Sequence, residues 1–239
     1  MNQFNMDYEN YLQEFLPLYK ERPIVDNNGG MKLPHMFATY CLLKELKPKL
    51  IIESGVWRGQ GTWLFDQIDE NFKLVCIEPM SGTIRYHSKN ALYYTTKDFN
   101  TIDWNKILLD NNIDASDVLV FFDDHQDFNK RLEFILEYTS IKKIIFEDNY
   151  PMGKGDCISP KKIMSENYEN EEDKNNFKNN VNYYFEFPPL VMEEKTRWGD
   201  DWNDSFKTPS PIFSKLPEEL LQFQNEMNTY TWMCYINLK

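Results

Sequence analysis

The chain reads as an α/β protein: a doubly wound, mostly parallel seven-stranded sheet finished by an antiparallel C-terminal strand. Three observations predict it. From residue 50 onward, short continuous apolar runs alternate with helical patterns, the rhythm of strands buried on both faces and joined by crossover helices. The first run, LIIES (50–54), opens into a glycine turn and then a helix. Later runs end in carboxylates, at EP (78–79), FFDDH (121–125) and FEDN (146–149), where solubility alone asks only for Ser, Gly or Asn.

Before the sheet, Phe4, Tyr8, Tyr11, Leu12, Phe15 and Leu18 form a helical stripe stopped by Arg22-Pro23. It makes residues 1–33 a helical extension. DNNGG (26–30) is a turn, and a second helix runs from Pro34 to about Leu46. Strands are expected at 50–54, 73–79, 91–96, 117–122 and 142–148, with helices after the glycine turn and over 127–139. Past Asp148 the rhythm fails: ENEEDKNN reads as a solvated charge run, and only VNYYFEF (181–187) returns to strand character. Residues 188–217 hold five prolines with Trp198 and Trp202, too long and aromatic for an ordinary connection. Around strand 181–187, residues 150–217 therefore read as a lid or substrate-binding insertion in a single domain spanning 1–239. A helix, PEELLQFQNEM, and a strand over 229–238, paired antiparallel with 181–187, complete the chain.

The 239 residues suffice for one large domain with a core, and a 41% hydrophobic, 15% aromatic composition excludes disorder despite a mean hydropathy of −0.63. Net charge is −12, which disfavours nucleic acid, because phosphate neutralisation needs a basic face. No segment approaches the apolar length of a membrane span and the N-terminus lacks a signal pattern, so a soluble, cytoplasmic protein is expected. Cys41, Cys76, Cys157 and Cys234 form no CxxC pair, which argues against zinc and redox motifs. Nothing in the pattern decides for or against a homo-oligomer.

ESGVWRGQGT (53–62) lies where an α/β sheet binds a polar cofactor at its carboxyl edge. Glu53 can take up a cationic or hydroxyl group; a tight turn without ligand is the plainer alternative. Glu78, about 25 residues on, can accept two hydrogen bonds from a ribose diol. Asp98 can meet an adenine amine or cap the helix that follows.

The run KPKLIIESGVWRGQGT…KLVCIEP, with FFDDH and IIFEDN, resembles the class I S-adenosylmethionine-dependent methyltransferase fold, a Rossmann-like sheet. It is most similar to the branch of metal-dependent sugar O-methyltransferases of macrolide and aminocoumarin pathways and the cephalosporin-hydroxylase-like proteins. The resemblance covers about 34–150 and implies that Glu53, Gly55, Trp57 and Gly59 cradle the methionine end of the cofactor and Glu78 its ribose. Trp57 stands where commoner methyltransferases have a middle glycine.

A right-handed crossover between strands ending at Phe122 and Phe146 brings Asp124, Glu147 and Asp148 to one edge. Three carboxylates there repel unless a cation neutralises them or one keeps its proton, and an all-oxygen set suits Mg²⁺ before Ca²⁺ or Mn²⁺. The resemblance implies the same metal site, leaving open which of Asp123 and Asp124 is the ligand. His125 is then the expected base that takes the proton of a metal-bound hydroxyl, with a helix N-cap at DDH as its plain alternative. His35 reads as structural, His87 as a polar-loop residue, and Arg58 and Arg85 as solvated. Together these imply an O-methyltransferase acting on a hydroxyl of a small molecule or sugar, with a cephalosporin-hydroxylase-like oxygenase or a non-catalytic ligand- or glycan-binding protein on the same scaffold as alternatives.

Overall fold

The computed structural model describes residues 4–239; the first three residues of the predicted 1–33 extension lie outside them. Seven strands form one sheet: β1 (Leu50–Ser54), β2 (Lys73–Ile77), β3 (Ala91–Tyr94), β4 (Val118–Phe122), β5 (Lys143–Phe146), β6 (Val181–Glu186) and β7 (Cys234–Leu238). Their order is β3-β2-β1-β4-β5-β7-β6. β1 to β5 run parallel, and β7 is antiparallel to both β5 and β6. This is the doubly wound, Rossmann-like arrangement that the sequence predicts, with the order reversing between β1 and β4.

The strands alternate strictly between two layers. Ile51, Leu74, Cys76, Leu119, Phe121, Ile145 and Tyr235 pack on α1 (Tyr8–Lys20), α2 (Leu33–Leu46) and α3 (Gln60–Ile68). Leu50, Ile52, Val75, Val118, Val120, Phe122, Ile144 and Ile236 face α4 (Trp104–Asn111) and α5 (Phe128–Tyr138). Apolar side chains on both faces are what make these runs continuous rather than alternating in sequence.

The segment after β5 is more ordered than its composition suggests. A short α6 (Pro160–Ile163) is followed by α7 (Glu171–Asn180), which spans the charge run expected to be irregular. Asn170 caps α7 by accepting from the amides of Glu172 and Asp173, and acids fill its first turn with Lys178 in its last, the distribution that a helix dipole favours. Residues 218–229 form a continuous 3₁₀ stretch rather than the expected α-helix. Three residues per turn align Leu220, Phe223 and Glu226 on one face, and there Glu226 accepts from the Tyr19 hydroxyl, the Arg22 guanidinium and the Leu33 amide. The last strand is shorter than expected, because Trp232 takes a left-handed φ of 57° just before it. No helix among the described residues is long and apolar enough to cross a membrane.

Candidate active site

At the carboxyl edge the strand ends are locked level. The amide of Gly55 donates to Ile77 O (3.0 Å), Asp123 to Ser54 O (2.8 Å), and Glu147 to Phe122 O (2.9 Å). Gly55, at φ 93°, lets the turn after β1 cross the turn after β4, since a Cβ there would drive into the Asp123 carbonyl. Trp57 is left-handed too, at φ 51°, a conformation that costs a bulky residue about 1–2 kcal/mol. Three bonds hold it: its amide donates to Glu78 Oε2 (2.7 Å), its indole to Asn28 O (3.0 Å), and its carbonyl accepts from Thr83 Oγ1 (3.1 Å).

A cavity of about 360 Å³ opens over this turn, at the crevice between β1 and β4 where the strand order reverses. Gly55, Trp57, Glu78, Met80, Asp98 and Arg131 are among its walls. Glu78 is buried and its two oxygens accept from three backbone amides, Val56 (3.2 Å), Trp57 and Met80 (2.8 Å). Oε2 takes two of these bonds and Oε1 one, so Oε1 keeps lone-pair capacity for a ligand. Asp98 does two things at once: it caps the 3₁₀ turn at Phe99–Thr101 and forms a two-pronged ion pair with buried Arg131 at 2.7 and 2.8 Å. That guanidinium holds the Asp98 carboxyl below its ordinary range.

Two expected site residues turn elsewhere. Glu53 faces away from the cavity into the α3 layer, accepting from Thr62 Oγ1 and from Cys76 Sγ (3.5 Å), and burial pushes its carboxyl up to about 8. Asp124 is separated from Glu147 and Asp148: its Oδ2 accepts from Arg131 (2.7 Å) and from Ser54 Oγ (2.6 Å). Successive side chains at a strand end point to opposite faces, and Asp123 is the one turned toward the β5 acids.

Ligand atoms of Asp123, His125 and Asp148 all lie within 4.8 Å of one another. His125 is half-exposed with φ 54°, and its Nδ1 stands 3.1 Å from Asp148 Oδ2 and 3.2 Å from Asp156 Oδ1. Burial first, then the neighbouring Glu147 charge, pushes the Asp148 carboxyl well up, and Asp123 rises for the same reasons. Glu147 goes the other way: burial works against its charge, but His35 holds it low. His35 Nδ1 lies 2.6 Å from Glu147 Oε1 while Nε2 bonds to the Thr229 carbonyl. The crowding therefore favours charge on Glu147, beside His35, and disfavours it on Asp123 and Asp148.

A second cavity of about 240 Å³ lies over these acids, and Gly29, Asp123 and His125 line both cavities. His35, Tyr150 and Arg197 complete much of its wall. Sequence reasoning set His35 aside as structural and did not single out Arg197, because their partners lie far along the chain. Trp198 and Trp202 pack on buried Trp232, with centroids 6.0 and 5.8 Å away, and so fasten segment 188–217 to the core beside this cavity.

No family model matches the chain, and no curated protein does. Among solved structures it is similar to one described as cmcI-N160 with SAH (15% identity, TM-score 0.40, covering 50% of this chain). The chain spans 62% of that protein's length. An O-methyltransferase from Bacillus cereus in complex with SAH shares 12% identity at a TM-score of 0.39, covering 75% of this chain and 84% of its own. The plantazolicin methyltransferase BpumL shares 12% at 0.37, covering 97% and 88%. Likenesses this distant carry no functional argument, and the site stands on the chain's own geometry.

Proposed function

We propose that the protein is an S-adenosylmethionine-dependent O-methyltransferase for a hydroxyl of a small molecule or sugar. The observation that carries this reading is the pair of adjoining cavities with Asp123 and His125 in their common wall. In it, the nucleoside lies in the larger cavity between Glu78 and Asp98, and the acceptor lies over the β5 acids.

The acid cluster suits a divalent cation. Asp148 Oδ2 is a buried oxygen that makes no hydrogen bond, with the His125 ring standing close to it at 3.1 Å, and Asp123 offers a second carboxylate beside it, a set of the kind Mg²⁺ uses with water and substrate. A cation held there would lower the pKa of an acceptor hydroxyl and orient it. Asp156, whose Oδ1 is 3.2 Å from Nδ1, favours the Nδ1–H tautomer of His125, which leaves Nε2 to take the hydroxyl proton. The 4.8 Å grouping favours a second reading, His125 as third ligand, which would draw the site toward Mn²⁺ or Fe²⁺.

Calorimetric titration with S-adenosylhomocysteine, with and without Mg²⁺ or Mn²⁺, tests the proposal. Micromolar binding is expected, and no binding of either S-adenosylmethionine or its product would sink it. His125→Ala separates the two roles. Loss of methyl transfer with metal affinity kept marks a base, and loss of metal affinity marks a ligand.

A further inference from the structure

The second cavity has two unlike poles. Asp123, Glu147 and Asp148 line one part of it; Arg197 and Lys32 also line it. Arg197 is brought there by the segment fastened through Trp198. Its Nη1 donates to the Tyr150 hydroxyl, and its Cζ lies 5.3 Å from the Tyr150 ring centroid and 5.8 Å from that of Trp198. Trp198 in turn stacks on Trp232 at 15° between planes. The guanidinium is thus held in place by aromatic faces rather than by a carboxylate.

That choice sets it apart from the other four arginines, Arg22, Arg58, Arg85 and Arg131, each of which forms an ion pair with an acid. In the same region Lys195 pairs with Asp201 and Lys154 with Asp200. Arg197 lies close enough to the cavity acids to help hold Glu147 low and to oppose part of the rise at Asp148, yet it makes an ion pair with no acid among the described residues, and neither does Lys32. Only one guanidinium nitrogen is engaged, leaving most of a planar fork of donors that matches a carboxylate or phosphate. The cavity, at about 240 Å³, is below the roughly 300–1,000 Å³ of drug-sized pockets.

We infer that the acceptor is a small hydroxylated anion, whose carboxylate or phosphate is bound by Arg197 with Lys32 while its hydroxyl lies toward Asp123 and His125. The inference rests on the reading of the second cavity as the acceptor site. It adds what that reading leaves open: the charge of the acceptor and the residue that selects it. An uncharged sugar or phenol would leave the free donors of Arg197 to water.

The test uses matched probes on the full chain: 3-hydroxybenzoate against 3-hydroxybenzamide, and glycerol 3-phosphate against glycerol. Binding is read by calorimetry and by the Arg197 Nε–H resonance, assigned from its loss in Arg197→Lys. One charged probe should shift that resonance and bind about tenfold or more tighter than its neutral mate, and the pair that does so tells carboxylate from phosphate. The preference should shrink to within about twofold in Arg197→Met and persist in Lys195→Met, which removes a paired cation from the same segment. If neither charged probe is preferred, or the preference survives in an Arg197→Met, Lys32→Met double variant, the inference fails. S-adenosylhomocysteine is titrated into the same samples. If it binds without any anion preference, only this inference fails; if it does not bind, the parent reading fails.

Discussion

Adjacent Asp123 and Asp124 have opposite fates, and the difference lies in what each faces. Arg131 binds Asp124 and Asp98 together, and Asn100 Oδ1 accepts a fourth bond at 2.9 Å. Asp124 is thereby committed to the wall of the first cavity. Asp123, turned toward Glu147 and Asp148, is left for a cation. Asp123→Asn should weaken Mn²⁺ binding, measured by paramagnetic resonance, about tenfold or more. Asp124→Asn should change it less than about threefold and instead lower the melting temperature, since one of the two carboxylate partners of buried Arg131 is lost, a cost below the roughly 3–5 kcal/mol of a fully broken buried pair because Asp98 remains. Equal losses of Mn²⁺ affinity would overturn the assignment. The sequence shows two acids but cannot show this division, because the selecting arginine sits on the far side of a helix turn and a strand end hides which side chain faces which layer. His35 was hidden for a like reason, its partner Glu147 being on another strand.

At the scale of elements, legibility followed burial. The runs that form β1, β4 and β5 are apolar on both faces, and their ends lie within a residue or two of the expected limits. Helix α7 escaped because it buries only Phe177 and Asp173 and so carries no apolar period; its signal was instead the cap, Asn170 before three acids. Asn170→Ala should cost about 1 kcal/mol, seen as a lower denaturation midpoint with unchanged slope, and no change in the midpoint would mean that the cap is idle. Segment 188–217 is held by aromatic contacts rather than by a ladder. Removing one of them with Trp198→Ala should raise amide exchange across residues 192–206 while β1 and β4 stay protected. Unchanged exchange there would show that Trp202 and Phe206 suffice to hold the segment to Trp232.

Across the whole molecule, an acidic chain keeps one carboxyl in the layer between sheet and helices, and that makes global stability depend on pH. Glu53 is 2% exposed and meets Thr62, Cys76 and the bare Cα of Gly61, with no cation bonded to it. Its carboxyl ionises near 8 in the folded chain against 4.5 for a free one. The unfolded chain therefore releases this proton at lower pH than the folded one, so stability is greatest below about pH 4.5, falls as pH rises toward 8, and levels off above it. The full effect is up to about 5 kcal/mol. Glu53→Gln keeps the shape and still offers Thr62 a carbonyl, but it cannot titrate. Its melting temperature should stay near that of the wild type at about pH 5 and exceed it increasingly toward pH 8; parallel curves would show that Glu53 does not hold its proton. The same variant settles where the side chain acts. Turned inward, as its contacts place it, Glu53→Gln should leave S-adenosylhomocysteine affinity within about threefold, whereas a direct hold on the cofactor's ammonium would cost about tenfold or more.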